Sequence, residues 1–540
     1  MISLYHNTED SFSLYGIQHF IEKTGIAIEI NKPSTSGIAI TYGIERKGEF
    51  LINIEKNDVQ NHICGRISLD KEKIPLCEIP HDTGSGRETF AYFETAEKRY
   101  PCQTTHEGRI DIGIDIFKET GYLLSGHLDT IRQKLDETTR TEITSIPIVD
   151  ALENLLFSSI LNACDALHIP LVQKSYWPDN KSFAVCLTHD VDELKKTYQY
   201  VTRPVMYILG GNLQGLKGQL NSFFQKIKGN EPYWTFEDIF AIEKTFRAKS
   251  TYFILKESGK PMLLSKQSWS VYGRNRSLES PEMQMLIQKL ITNGDEIGVH
   301  GSYFSYKNPQ LLLQETRELE QLINTTGIGT RQHHLNLNIP ETWEYQIQAG
   351  LKYDSSLGFN DAIGFRWGTS FPFFPHNGIE RIDILEIPLI IMDNYLETLK
   401  NKEKAWLSLA EEVERYQGVL TLLWHSCNFN TLEYPGYRDT YVKIIQYCQE
   451  KGAWIARAGD IYEWIYQRNR QTFSYFYKDS TCTIIPSDTR SELFFTVYLP
   501  QGTDAIIHSE NVDIIGREGN YMSIKTHDIN NNNEIVLGIV

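Results

Sequence analysis

The chain has 540 residues, of which 41% are hydrophobic and 12% aromatic, a composition that supports buried cores and about two to four domains. Its formal net charge of −16 argues against a nucleic acid as the main partner, because nucleic-acid affinity depends on clustered lysines and arginines. The eight cysteines are scattered without a Cys-x-x-Cys pair, which indicates reduced thiols rather than a disulfide framework.

The amino-terminal sequence, Met-Ile-Ser-Leu-Tyr-His, lacks the basic segment and following apolar segment of a secretory signal. No run approaches the roughly 20 consecutive apolar residues that a membrane-spanning helix requires. We therefore expect a cytoplasmic protein without a membrane span, and the sequence leaves its oligomeric state open.

Residues 1–175 mix strand-like segments with a late helical segment at 148–166, which predicts an N-terminal α/β domain. This region carries no chemical motif, so its role stays unassigned. The turn signal Trp-Pro-Asp-Asn at 177–180 separates it from the next region.

Residues 181–468 repeat one pattern, in which a helical segment ends at a glycine and a short apolar strand leads to polar residues. The glycines are Gly294, Gly350, Gly418 and Gly452. The polar strand ends are His300, residues 354–356, His425 and Arg457. Glycine is expected where a helix end needs the left-handed conformation, and alternating helices and strands favour an α/β barrel. Because such barrels carry their chemistry at the carboxyl ends of the strands, we expect these side chains to converge.

Residues 470–540 change to alternating strand-like runs separated by turn signals. This pattern predicts a small C-terminal all-β domain, with a β-sandwich as the favoured form.

The most informative stretch is Leu-Thr-His-Asp-Val-Asp at 187–192, where an apolar run ends in a histidine and two carboxylates. Burying ionised groups costs several kcal/mol unless a metal, a partner charge or a catalytic role compensates. Asp190 and Asp192 alone would be interpreted as helix-cap or turn residues. The polar ends of the other strands favour a catalytic site instead.

Five short segments combine polar residues in a fixed order along the chain. They are Thr-His-Asp-Val-Asp at 188–192, Glu-Ile-Gly-Val-His-Gly-Ser at 296–302, Arg-Gln-His-His at 331–334, Tyr-Asp-Ser-Ser at 353–356 and Leu-Leu-Trp-His-Ser at 422–426. Taken in this order, they resemble the polysaccharide deacetylase family, carbohydrate esterase family 4. The resemblance covers roughly residues 181–465. It implies a distorted (β/α) barrel with a divalent metal, zinc in preference to cobalt or nickel, that hydrolyses N-acetyl or O-acetyl groups on sugars.

The resemblance also implies catalytic roles for individual residues. It implies that Asp190 is the general base, that Arg331 fixes this base, and that His425 is the acid beside the leaving group. The implied reaction is metal-assisted hydrolysis of an acetylated sugar or glycan precursor, in which Asp190 takes a proton from water and His425 protonates the departing amine.

For the metal, the resemblance implies Asp192 and His300 as ligands. Phe304 stands where the family has a second metal histidine. A hydrolytic zinc site normally uses three protein ligands, so another side chain must complete the set. We favour His333 as this ligand, with two histidines as alternatives, His189 and His334.

Further residues are candidates with less defined roles. Arg366, Trp367 and Trp424 are candidate substrate-binding residues, although buried packing and an ion pair explain Arg366 and Trp367 equally well. Glu386 and Asp393 are candidate orienting carboxylates whose partners the sequence does not name.

Two other functions fit the same motifs. The first is a metal-dependent hydrolase of a linear or cyclic amide that is not a sugar, which the loss of the second histidine would suit. The second is a degenerate protein whose cleft only binds a glycan. The retention of four motif residues argues against it: Asp190, Asp192, Arg331 and His425.

Overall fold

The structure is a computed structural model. It describes residues 2–33, 37–46, 48–56, 66–69, 72–74, 92–94, 99–101, 103–133, 137–257, 277–487, 492–527 and 534–540. Among these residues no helix combines the length and the apolar character that crossing a bilayer demands. Three cysteines lie outside the described residues: Cys64, Cys77 and Cys102. The other five are free thiols, as predicted: Cys164, Cys186, Cys427, Cys448 and Cys482.

The first region builds an α/β layer. Its strands are β1 Ile2–His6, β2 Ile28–Ile30, β3 Ile38–Tyr42, β4 Phe50–Ile54, β5 Arg66–Leu69, β6 Glu72–Ile74, β7 Tyr92–Glu94, β8 Arg99–Pro101, β9 Gln103–His106, β10 Arg109–Ile112 and β11 Leu171–Lys174. Its helices are α1 Ser11–Thr24, α2 Ile116–Tyr122, α3 Leu128–Gln133, α4 Glu137–Thr144 and α5 Ile148–Leu167. Six strands form a sheet in the order β2-β1-β3-β4-β10-β9, in which all pairs except β10/β9 are parallel.

The second region contains a curled parallel sheet. Its strands are β12 Ala184–Val191, β13 Thr251–Leu255, β14 Glu296–Gly301, β15 Thr330–Gln332, β16 Tyr353–Asp354, β17 Leu385–Glu386, β18 Ile391–Met392, β19 Val419–Leu423 and β20 Trp454–Ala456. They are ordered β17-β16-β15-β14-β13-β12-β19-β18, and β20 also pairs with β12. Every described pair in this sheet is parallel. The distorted α/β barrel that the sequence predicts is confirmed.

The described part of this region also contains helices. They are α6 Gln199–Leu209, α7 Leu213–Ile227, α8 Phe236–Thr245, α9 Pro281–Asn293, α10 Pro309–Ile323, α11 Glu341–Gln348, α12 Asp393–Leu396, α13 Lys402–Arg415, α14 Tyr437–Glu450 and α15 Ala458–Arg470. All eight residues of β12 are buried, because a strand at the centre of a parallel sheet is covered on both faces. This burial explains the apolar run that precedes the two aspartates.

The glycines of the predicted helix ends divide into two kinds. Gly294, Gly350 and Gly452 have positive φ angles of 80°, 86° and 77°, as expected for left-handed helix ends. Gly418 does not have a positive φ angle, because Gln417, one residue earlier, has the left-handed conformation with a φ angle of 52°. A Cβ atom on Gly418 would lie 1.9 Å from the Ser370 hydroxyl, so glycine is needed there for close packing.

The last region forms two antiparallel sheets. Its strands are β21 Phe473–Lys478, β22 Thr481–Pro486, β23 Glu492–Tyr498, β24 Ala505–Ile507, β25 Val512–Glu518, β26 Tyr521–His527 and β27 Ile535–Ile539. One sheet is ordered β21-β22-β27-β24 and the other β11-β23-β26-β25. Apolar side chains of both sheets share one core, so the predicted all-β character is confirmed. The division into domains at 175 and 470 stays a prediction.

Strand β11 belongs to this last pair of sheets although it precedes the barrel in sequence. It pairs antiparallel with β23, and Val172 is fully buried in the shared core. A segment of the first region therefore contributes directly to the C-terminal sheets.

Replacing Val172 tests this contribution. We expect Val172→Asp to destabilise the C-terminal sheets by several kcal/mol, because it buries an unpaired carboxylate among apolar side chains. Thermal unfolding and hydrogen exchange of residues 473–539 measure the effect. The control is Val201→Asp, the same substitution at a residue that is 68% exposed in the first turn of α6, which we expect to stay within about 0.5 kcal/mol of the parent. Unchanged exchange protection in Val172→Asp would contradict the assignment of β11.

Candidate active site

The carboxyl ends of the barrel strands surround a cavity of about 1000 Å³. Residues at the carboxyl ends of β12 and β14, and residues just after β12, β15 and β19, line it, as predicted from the strand ends. Its lining includes five of the predicted site residues: Asp190, Asp192, His300, His333 and His425. Helix α6 supplies one wall, which the sequence did not predict.

Asp190 is held by a buried arginine. The Arg331 Nη1 atom donates to Asp190 Oδ1 at 3.0 Å and also to the Thr188 hydroxyl at 2.6 Å. Its Nε and Nη2 atoms donate to the carbonyl and the hydroxyl of Ser355, both at 2.9 Å. The pairing fixes one oxygen of Asp190 and leaves Oδ2 3.5 Å from His300 Nε2.

Asp192, His300 and His333 form a compact cluster. One potential ligand atom from each lies within 4.8 Å of the other two. His300 Nε2 is 3.3 Å from Asp192 Oδ1, and His333 Nε2 is 3.8 Å from Asp192 Oδ2. His300 Nδ1 donates to the Arg331 carbonyl at 2.8 Å, so its Nε2 atom faces the cluster.

The chemistry of this cluster fits a divalent metal. One carboxylate oxygen and two imidazole nitrogens are the donor types of hydrolytic zinc sites, which keep a further position open. The electrostatics also favour a cation, as His300 indicates. Burial lowers the pKa of His300, but the carboxylates of Asp190 and Asp192 outweigh it and raise the pKa above its ordinary value.

Glu257 is a residue that the sequence interpretation missed. Its Oε2 atom lies 3.4 Å from His333 Nδ1 and accepts the Tyr303 backbone N–H at 3.3 Å. A carboxylate against the second nitrogen of a ligating histidine fixes the orientation of its ring. Its place in the sequence could have identified it as a site residue, because Glu257 follows the carboxyl end of β13 by two residues.

His425 pairs with the carboxylate of Asp393. His425 Nδ1 is 2.8 Å from Asp393 Oδ1, and the backbone N–H of His425 donates to Oδ2 at 2.7 Å. Asn428 donates a further hydrogen bond to Oδ2 at 2.8 Å. Burial lowers the pKa of His425, but the charge and hydrogen bond of Asp393 outweigh it and raise the pKa to about 9. His425 therefore carries a proton at neutral pH.

The two alternative histidines differ in position. His189 is fully buried, with Nδ1 2.8 Å from the Trp424 carbonyl and Nε2 2.9 Å from Glu243 Oε1. It faces away from the cavity because neighbouring side chains of a strand alternate in direction. His334 lines the cavity, but it is exposed and lies outside the cluster of potential ligands. Phe304 is absent from both the cavity lining and the cluster.

The structure does not bring the three candidate substrate-binding residues to the cavity, which corrects that expectation. Arg366 Nη2 pairs with Asp129 at 2.9 Å, and Trp367 donates its indole N–H to the same carboxylate at 3.2 Å. Trp424 is fully buried and packs against Tyr441. The ion pair and buried packing that the sequence left open for Arg366 and Trp367 explain both residues.

Glu386 is also separate from the cavity. It is fully buried, and its carboxylate accepts hydrogen bonds from the Trp343 indole at 3.2 Å and the Leu357 backbone N–H at 3.1 Å. Burial and the neighbouring Asp354 raise its pKa well above the ordinary value. Of the two candidate orienting carboxylates, Asp393 contacts His425, which lines the cavity, whereas Glu386 bonds to Trp343 and Leu357.

The Asp393–His425 pair yields a prediction about proton binding. In metal-free protein, we expect NMR to show His425 titrating near pH 9, whereas Asp393→Asn removes the largest cause of the raised pKa and lowers the pKa of His425, with Asp192 and Asp190 still raising it. The pair therefore stabilises the fold fully below pH 6.5 and loses this contribution as pH rises through about 9.

His425→Gln assigns the NMR signal, and Asp439→Asn, at an exposed acid, is the matched control. A His425 signal that still titrated near pH 9 in Asp393→Asn would contradict the electrostatic role of Asp393.

Comparisons with known proteins give matches among solved structures alone. No protein-family model matches the chain, and no curated protein sequence matches it. The carbohydrate deacetylase Agd3 is 8% identical, with 100% of this chain and 98% of that chain covered and a TM-score of 0.41. A probable polysaccharide deacetylase from Pseudomonas aeruginosa PAO1 is 13% identical, with 55% of this chain and 95% of that chain covered and a TM-score of 0.35.

Two further matches carry different descriptions. Puue allantoinase is 14% identical, with 54% of this chain and 92% of that chain covered and a TM-score of 0.35. A CE4 family pseudoenzyme from Bacillus anthracis also matches. The order of its motifs resembles that of the carbohydrate esterase family 4 deacetylases.

Proposed function

We propose that the chain is a metal-dependent hydrolase that removes acetyl groups from an N-acetylated or O-acetylated sugar or glycan. The observation that supports this most strongly is the meeting of three groups at one cavity. They are the arginine-held Asp190, the cluster of Asp192 with His300 and His333, and the carboxylate-paired His425. Metal-assisted amide or ester hydrolysis needs groups of these three kinds.

In this proposal Asp192, His300 and His333 hold a divalent metal, with zinc favoured and cobalt or nickel as alternatives. When bound, such a metal supplies Lewis-acid polarisation of the acetyl carbonyl. Glu257 orients His333 through Nδ1, and the Arg331 carbonyl orients His300 through Nδ1. Both histidines then present Nε2 to the carboxylate of Asp192.

Asp190 acts as the general base. Arg331 holds Oδ1 and fixes the orientation of the carboxylate, and Oδ2 remains available to take a proton from the attacking water. The same arginine bonds to the strand neighbours Thr188 and Ser355, so its position depends on the sheet rather than on the substrate.

His425 acts as the general acid. Its Nδ1 proton is directed to Asp393, so the Nε2 proton is the one available to the leaving nitrogen or oxygen. A pKa of about 9 keeps His425 protonated at neutral pH, as an acid for a poor leaving group requires. Asp393 is therefore a positioning residue for this acid.

Product analysis tests the proposed reaction class. We expect purified protein supplied with zinc, cobalt or nickel to release acetate from at least one member of a panel of acetylated sugars and oligosaccharides. A linear and a cyclic amide that are not sugars complete the panel. A ring-opened acid without acetate would support the amide-hydrolase alternative, and no product from any member would contradict the proposal.

Replacing His425 tests the acid. We expect His425→Ala to reduce kcat on the accepted substrate by about 10²–10⁴, the usual contribution of a general acid, while metal binding is retained. His508→Ala, at an exposed histidine of the C-terminal sheets, is the matched control. Full activity of His425→Ala would show that the assigned role is wrong.

Zinc-dependent stabilisation tests the ligand set. A ligand that binds the native state alone stabilises it, by about 2.7 kcal/mol at a concentration of 100 times Kd. We expect zinc to raise the Tm of the parent and of His334→Ala, and to lose this effect in His333→Ala. The neighbouring His334 makes the comparison a matched one. Equal zinc effects in both variants would exclude His333 as a ligand.

A further inference from the structure

The helical hairpin of α6 and α7 presents an unusual number of apolar side chains to solvent. Its tip residues Leu209 and Leu213 are 83% and 79% exposed. Eight more large apolar residues of the two helices are at least half exposed: Val201, Val205, Met206, Ile208, Leu220, Phe223, Phe224 and Ile227. A concentration of this kind marks an interaction site, because exposed apolar residues of ordinary surfaces are scattered singly.

Helix α7 is oriented opposite to an ordinary surface helix. Its buried residues are Gly218, Gln219 and Ser222, whereas its apolar residues face outward. The outward residues recur at spacings of three, four and seven, as on one face of a helix: Leu213, Leu220, Phe224 and Ile227. The apolar face of an amphipathic helix normally packs on the core of the protein. The apolar face of α7 does not, so it is available to contact another apolar surface.

A buried polar network fixes this orientation. The ammonium group of Lys196 donates to Gln219 Oε1 at 2.6 Å and to Glu433 Oε1 at 2.6 Å. Gln219 also donates to Glu433 Oε2 at 2.8 Å, and Lys196 donates to the Ser222 hydroxyl at 3.2 Å. Turning α7 to bury its apolar face would break these bonds around a buried charge, so the outward face is part of the fold.

The charge of the hairpin segment differs from that of the protein. Residues 194–230 contain no aspartate or glutamate, within a chain of formal net charge −16. They contain six basic residues: Lys195, Lys196, Arg203, Lys217, Lys226 and Lys228. Lys217 and Lys228 are exposed and lie beside the apolar stripe of α7. Apolar and basic side chains on one surface are the combination that binds the interface of an anionic bilayer.

We propose that the α6–α7 hairpin docks on an anionic lipid bilayer, with its tip inserted among the lipid chains and its lysines at the headgroups. Exposed leucine and phenylalanine side chains supply the apolar contact, and each lysine near the surface adds electrostatic attraction that salt weakens. The helices lie on the membrane in this arrangement and do not cross it.

The hairpin also borders the candidate active site. Thr202, Arg203 and Met206 of α6 line the cavity, and Met206 is 67% exposed as well. The cavity therefore opens beside the surface that contacts lipid. Together with the proposed function, this would favour acetylated glycans held at a membrane. Lipid binding itself is measured without turnover, so it fails or succeeds independently of that function.

Vesicle sedimentation tests the docking. We expect the full chain to sediment with vesicles of equimolar phosphatidylglycerol and phosphatidylcholine, and more weakly with phosphatidylcholine alone. We expect Leu209→Ser/Leu213→Ser to lower the apparent affinity at least about tenfold, because two exposed apolar anchors are removed. The control Ile379→Ser/Ile506→Ser changes residues that are 85% and 52% exposed elsewhere, and we expect it to bind as the parent does.

A charge variant tests the contribution of the lysines to lipid binding. We expect Lys217→Glu/Lys228→Glu to weaken binding to the anionic vesicles and to reduce its salt dependence, whereas Lys443→Glu, an exposed lysine on α14, leaves both unchanged. The proposal is overturned if the parent does not sediment with anionic vesicles, or if the leucine variant binds as the parent does. Light scattering that reveals a dimer abolished by the leucine variant, without vesicle binding, would overturn it in favour of self-association.

Discussion

A fully buried arginine connects the parts of the candidate site. Arg331 donates to Asp190, to Thr188 and to Ser355, its guanidinium lies 4.6 Å from the centre of the Phe253 ring, and its carbonyl accepts the proton of His300 Nδ1. A buried charge is tolerated when it is paired and hydrogen-bonded, and here each of the three guanidinium nitrogens donates at least one hydrogen bond. One residue of β15 thereby fixes the proposed base on β12 and a proposed ligand on β14, so the chemistry depends on the register of the strands from β12 to β15.

Carboxylates in and around the cavity give its two sides different electrostatic environments. Asp393 keeps the proton on His425, at a pKa of about 9, on one side of the cavity. On the other side, Asp190 and Asp192 face two histidines whose second nitrogens are held by the Arg331 carbonyl and by Glu257. The first arrangement suits an acid that must remain protonated, and the second suits a cation. Different environments therefore give histidines of one cavity different roles.

The proposed lipid surface adds a constraint on how substrate reaches this cavity. The network of Lys196, Gln219 and Glu433 holds α7 with its apolar face outward. The neighbouring helix α6 forms part of the cavity wall. A helix pair that contacts lipid on one side and the cavity on another would connect the position of the protein on a membrane with the access of its proposed substrate.

The sequence by itself indicated the barrel and much of the candidate site, because the hydrophobic period and the polar residues at each strand end are local properties. The spacing of Asp190 and Asp192 already puts both on one side of β12 and turns His189 to the other, since side chains of a strand alternate. The same alternation separates Trp424 from Leu423 and His425, which both line the cavity. Applied strictly, this rule would have excluded His189 and Trp424 from the predicted site.

Only the tertiary structure decided the partners that come from distant parts of the chain. Arg366 and Trp367 contact Asp129, which precedes them by more than 200 residues, and this contact removes both from the cavity. Glu257 reaches His333, and Asp393 reaches His425, through packing between separate strand ends. The local sequence pattern shows which residue follows a strand, whereas the pairing of buried charges depends on which strand ends lie together in space.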